Sequence, residues 1–186
     1  MMDEPNGTIA EAQSDLRHAY LHGGPGTMVS GVVWLVAGIA AGDWGVRIGF
    51  ILLYFGGVLI SPLSQLIIRG LLRQPALGPG NLGARIVGET VPPMIGGLLG
   101  AWLLIPHRPE LVFPLAAIAV GAHYFGFRSA YGDRTFWILG AILCGIGIVP
   151  IFVFPVSAPA VAFAVSGAEI IIGSWLAMRS RAHPEH

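Results

Sequence analysis

Six long apolar stretches, separated by short segments rich in arginine, proline and glycine, dominate the chain. They run Pro25 to Gly42, Val46 to Ser61, Ala84 to Ile105, Leu111 to Phe127, Thr135 to Phe154 and Ser157 to Met178. A helix crossing a hydrocarbon layer needs about 20 mostly apolar residues. Each stretch therefore predicts one spanning helix, the shorter ones taking in interfacial residues at their ends. Pro62 predicts a bend or stop in the second, after which Ser64 to Arg73 continues as an amphipathic extension. Gln74 to Gly83, with two prolines and three glycines, predicts the longest break. Ahead of the spans, Ile9, Ala12, Leu16 and Tyr20 fall on one helical face, with Glu11, Asp15, His18 and His22 on the other. That pattern predicts a short interfacial helix ending at Gly23 and Gly24. The expected fold class is all-α: an integral membrane bundle of about six transmembrane helices preceded by a short interfacial helix. Residues 1–24 make an N-terminal segment, 25–178 the transmembrane domain and 179–186 a tail.

Composition sharpens this picture. Of 186 residues, 54% are hydrophobic and 11% charged, with a mean hydropathy of +0.73, more apolar content than a soluble domain of this size buries. The lipid bilayer is the expected solvent and partner. Ten arginines, with no lysine, balance ten acids, so the chain lacks the basic excess that nucleic-acid binding requires. The single cysteine, Cys144, excludes an intrachain disulfide framework and a cysteine-rich metal centre. Asp3, Glu4, Glu11 and Asp15 against Arg17 reverse the charge of a secretory signal peptide, so no cleavage is expected. Placing both termini in the cytoplasm puts eight of the ten arginines there, leaving Arg47 and Arg108 outside.

Helices in lipid meet through small residues, because lipid tails are as apolar as leucine. Gly38 with Gly42, Gly96 with Gly100, Ala117 with Gly121, Ala141 with Gly145 and Ala160 with Ala164 are the candidate pairs. They are expected first as seams within the bundle, and second as the face of a homodimer.

Ionisable groups at membrane depth need a partner, a wet cavity or a purpose. Glu89, His123 and Glu169 are the three. Each aligns with small residues at helical spacing, which predicts a shared polar interior that Arg85, Thr90 and Arg128 border. Pro92 and Pro93 remove backbone donors above Glu89 and Thr90, leaving carbonyls beside a carboxylate. Plainer readings stand beside these: Glu89 paired with Arg85 one turn away, His123 as an interhelical hydrogen bond, and Glu169 either protonated or paired with His123. His18 and His22 have the i, i+4 spacing of metal ligands, but they lie on the polar face of a surface helix, so no metal and no cofactor is expected. No serine or cysteine nucleophile stands near a histidine and an acid in the pattern.

At Pro79 to Gly83 (PGNLG) and Val120 to Gly140 (VGAHYFGFRSAYGDRTFWILG), the chain resembles a family of bacterial multi-pass membrane proteins classed as a domain of unknown function. The matching positions are Asn81, Leu82, Gly83, Glu89, Gly121, Ala122 and His123. The resemblance implies a bacterial cytoplasmic membrane and a six-helix-like architecture, and brings no reaction, substrate or cofactor with it. The leading functional expectation is binding or transport of a small solute, ion or proton through the polar interior. An intramembrane enzyme acting on lipid, with Arg85 or Arg128 holding a phosphate, and a non-catalytic accessory subunit are the alternatives.

Overall fold

The computed structural model describes residues 8–182; Asp3, Glu4 and the last residues of the expected tail lie outside them. Within them the chain is all-helical: α1 (Ile9–Tyr20), α2 (Gly24–Trp44), α3 (Val46–Gln65), α4 (Leu82–Leu103), α5 (Val112–Tyr131), α6 (Thr135–Phe152) and α7 (Ala158–Ala182). Six helices are long and apolar enough to cross a membrane. Pro62 lies within α3, which then widens into a turn of π-helix over Leu66–Leu71.

The helices form an asymmetric bundle. α2, α5 and α7 occupy the centre; α3 flanks α2, α4 flanks α5, and α6 packs against α5 and α7. Glycine sets the closest approaches. A Cβ added to Gly24 would lie 2.7 Å from the Gly173 carbonyl oxygen, and one on Gly31 2.7 Å from Ile170 Cγ1. On the facing pair, a Cβ on Gly121 would lie 2.9 Å from the Gly140 carbonyl oxygen. Such contacts let backbones approach where no side chain fits.

Several expected seams are elsewhere. Gly38 does meet Ala162 and Phe163 of α7, and Ala117 and Gly121 are buried. Gly96 and Gly100 face open space, as does Gly145, while Ala141, Ala160 and Ala164 are exposed. The α2–α7 seam instead follows Gly24, Gly31 and Gly38, and α6 uses Gly140 and Gly147. Glycines seven residues apart return to one side of a helix after two turns, as the four-residue pairs do after one. Only packing decides which of the two stripes is covered.

α1 is docked on one end of the bundle, where α2 and α4 begin and α5 and α7 finish. Thr8 and Glu11 close a capping box that starts it. Its buried face is Leu16 and Ala19, while Ile9 is exposed. Gln13 Nε2 donates to the Ser129 carbonyl at 2.8 Å and Arg17 Nη1 to the Tyr131 carbonyl at 2.9 Å, satisfying groups at the end of α5. Asn81 accepts from the Ala84 amide to cap α4 and donates to the Ala12 carbonyl at 2.9 Å. Gly83 brings α4 against the Ala130 carbonyl. The Pro79 to Gly83 motif therefore ties three elements together at this end.

A second tie joins the same end. Leu21, His22 and Gly23 all have positive φ (49°, 54° and 76°), which kinks the chain between α1 and α2. Two of them are not glycine, a conformation that costs of order 1–2 kcal/mol per residue. The turn presents the His22 ring to Arg179 of α7 at 3.2 Å, and Arg179 also donates to the Asp133 carboxylate in the α5–α6 turn. Asp133 accepts from both the backbone and the hydroxyl of Thr135, at the start of α6. Burial pushes the Asp133 carboxyl up, but hydrogen bonds from His22, Thr135 and Arg179 outweigh it and hold the group well below the usual carboxylate range.

Candidate functional site

Glu169 lies eleven residues into the 25-residue α7, close to its middle, and is fully buried, at 0% exposure. It faces α2 and α5. The Tyr124 phenol donates to Glu169 Oε1 at 2.8 Å, while Oε2 is buried without a hydrogen-bond partner. Thr27, Ser30 and Ser166 are the other buried polar residues of the two helices α2 and α7. The Ser30 hydroxyl adjoins both Tyr124 and Glu169, and the Thr27 hydroxyl adjoins Tyr124. Thr27 also donates to the Gly23 carbonyl at 3.1 Å, which leaves its lone pairs free.

The local sequence explains this placement. Thr27, Ser30 and Gly31 share the α2 face that Gly24 and Gly38 bring against α7, so small polar side chains enter where large ones would clash. Tyr124 is positioned by aromatic packing: its ring stacks on Phe136 at 6.1 Å and meets Phe127 edge-on at 5.3 Å. The result is a buried cluster of oxygen atoms carrying one ionisable carboxyl. Among the described residues no ion pair reaches Glu169.

The three expected intramembrane groups do not converge. His123 Nδ1 lies 2.7 Å from Thr90 Oγ1, across the α4–α5 interface. Because the Thr90 hydroxyl donates to the Val87 carbonyl at 2.7 Å, His123 Nδ1–H is the donor and the lone pair is on Nε2. The expected His123–Glu169 pairing is thus absent: His123 meets Thr90 of α4, and Glu169 meets Tyr124. Glu89 is exposed on α4, as are Arg85 and Arg128, and no Glu89–Arg85 ion pair forms. The inward placement expected of Glu89 fails because α4 packs on α5 through Thr90, Gly97 and Leu98, turning the Glu89 side outward. Thr90, beside it in that turn, does reach α5.

Sequence reasoning missed Tyr124, Thr27 and Ser30. Tyr124 follows the Gly-Ala-His segment directly, and Thr27 and Ser30 fall on the Gly24–Gly31–Gly38 stripe. The seven-residue recurrence of glycine was the available signal.

Fold and site together define an all-helical integral membrane protein with six helices suited to spanning the bilayer and a buried carboxyl at their centre. The model of a family of unknown function, DUF7010, matches residues 9–179, and the chain belongs to that family. No curated protein and no solved structure matches it.

Proposed function

We propose that this protein binds a small solute, ion or proton within the membrane, as a carrier or a coupling subunit, and that Glu169 is the binding group. The observation that carries this reading is the orphaned Glu169 Oε2: a fully buried carboxyl oxygen without a partner, on a central helix. A buried polar atom left unpaired costs about 1–3 kcal/mol, and a carboxyl costs about 2.5–3.5 kcal/mol to insert at mid-membrane. A site that served packing alone would do better with glutamine or leucine. His123, on a half-buried ring, lies at the α4–α5 contact beside the residue that bonds Glu169.

In this reading both termini are cytoplasmic in a bacterial inner membrane, which sets Arg17, Arg69, Arg73, Arg85, Arg128, Arg134 and Arg179 at the α1 end. A homodimer would use the exposed α4 face, where Gly88, Gly96 and Gly100 have open space beside them and Arg85 and Glu89 offer self-complementary charge. The lipid-enzyme alternative needs an acid and histidine in one site, and Glu169 and His123 hydrogen-bond to different partners. The test is reconstitution into liposomes with an imposed pH or ion gradient. Glu169→Gln should abolish flux or ligand-dependent stabilisation in a protein that still folds. Flux or stabilisation equal to wild type would remove Glu169 from the function.

A further inference from the structure

Resting on that reading, we propose that the oxygen cluster around Glu169 holds a single hard monovalent cation, sodium in competition with the proton, rather than a proton alone.

The argument starts from the orphaned oxygen. Tyr124 supplies its one hydrogen to Glu169 Oε1. Among the described residues Oε2 makes no hydrogen bond of good geometry, and the adjoining Ser30 hydroxyl is the one side-chain group beside the carboxyl, besides Tyr124, that could serve it. A proton on Oε2 engages at most one of the gathered oxygens, whereas a cation engages several at once.

The donor set narrows its identity. The side chains gathered here offer oxygen only: the Glu169 carboxylate, the Tyr124 phenol, and the Ser30 and Thr27 hydroxyls, with Ser166 one turn before Glu169 on the same helix. Oxygen ligands select hard cations over the transition metals that imidazole and thiolate prefer. A single carboxylate sets the charge. A divalent ion would leave one uncompensated positive charge in a low-dielectric interior, whereas a monovalent ion makes the pair neutral. Anions are excluded by the absence of any ion-pairing arginine or histidine at Glu169 among the described residues. Thr27 and Tyr124 still have lone pairs to give, since each spends its proton elsewhere, on the Gly23 carbonyl and on Glu169.

The test is thermal unfolding of the purified protein in detergent. Sodium chloride is titrated against choline chloride at constant ionic strength, between pH 6 and pH 9, with potassium chloride as a second control. A ligand that binds the native state stabilises it by RT ln(1 + [L]/Kd). Above the dissociation constant, Tm should therefore rise by about 3 °C per tenfold sodium. Choline should not reproduce the rise, and lower pH should shift it to higher sodium. Glu169→Gln should remove both the sodium and the pH response. Ser30→Ala, which keeps the carboxyl and removes one oxygen, should weaken sodium about tenfold while leaving the pH response in place.

A wild-type Tm that depends on pH through Glu169 and not on sodium would overturn this inference and leave the binding reading standing, with the proton as ligand. Indistinguishable profiles of wild type and Glu169→Gln in both variables would overturn both. If Glu169→Gln does not fold, Ser30→Ala and Tyr124→Phe decide alone, and unchanged sodium dependence in both rejects the cation site.

Discussion

Two glutamates sit within spanning helices, and their surroundings are opposite. Glu169 is fully buried among α2, α5 and α7, hydrogen-bonded by Tyr124 and surrounded by hydroxyls. Glu89 is exposed on α4, one turn from Arg85, with three glycines of the same helix facing open space. Each lies in a helix rich in small residues, so their local sequences are much alike. The difference is the helix that carries them: α7 is gripped by α2 along a glycine seam, whereas α4 leans on α5 and presents its other side outward. A small-residue stripe marks where backbones can approach; it does not say whether the partner belongs to the same chain.

The largest effect that would break this contrast is at the central seam. Gly31→Val places a branched side chain where a Cβ already meets Ile170 Cγ1 at 2.7 Å and the Ser166 carbonyl at 3.1 Å. Destabilisation of about 3 kcal/mol, or loss of folded yield, is expected. Gly96→Ile on α4, with nothing within 4 Å of its Cβ position, should leave the monomer's Tm within about 2 °C. Thermal unfolding of both variants checks this, and size-exclusion of the Gly96 variant asks whether that face holds a second copy. Equal losses at the two positions would erase the distinction between the seams.

Next is the hydrogen bond that marks Glu169 off from Glu89. Tyr124→Phe removes the phenol that donates to the Glu169 carboxyl and should cost about 1–3 kcal/mol, read by the same unfolding measurement. Glu89→Gln, at an unpaired exposed position, should cost less than about 0.5 kcal/mol. The reverse order would mean that α4 is covered in the native assembly.

A smaller effect tests the ties at the α1 end. Asp133→Asn weakens the links to Arg179 and His22 and should cost about 1–2 kcal/mol near neutral pH. The Asp133 carboxyl is held below its unfolded value of about 3.9. Its contribution is therefore full above that value and is lost as pH falls through the lower, folded pKa. Wild type should lose stability in acid below about pH 4, and Asp133→Asn should show a shallower acid limb. Parallel acid limbs would show that the cluster is not linked to folding.

His123→Gln should retain the bond to Thr90 through its amide and keep the α4–α5 contact, with a change of less than about 1 kcal/mol. A larger loss would make the imidazole more than an interhelical hydrogen bond.

The amino-acid sequence by itself determined the number, positions and apolar character of the helices, because about 20 apolar residues in lipid have no alternative to intrasegment hydrogen bonding. It also singled out Glu169, since a carboxyl near the middle of an apolar run is costly wherever the run packs. Tertiary structure decided the rest. Both the seven-residue and the four-residue spacing return glycines to one side of a helix, so neither says that Gly24–Gly31–Gly38 is covered and Gly96–Gly100 open. Hydrophobicity discriminates poorly between facing helix and facing lipid when both are equally apolar. For the same reason Tyr124, Thr27 and Ser30 entered the site only once α2, α5 and α7 were brought together, and Glu89 left it once α4 turned its other side to α5.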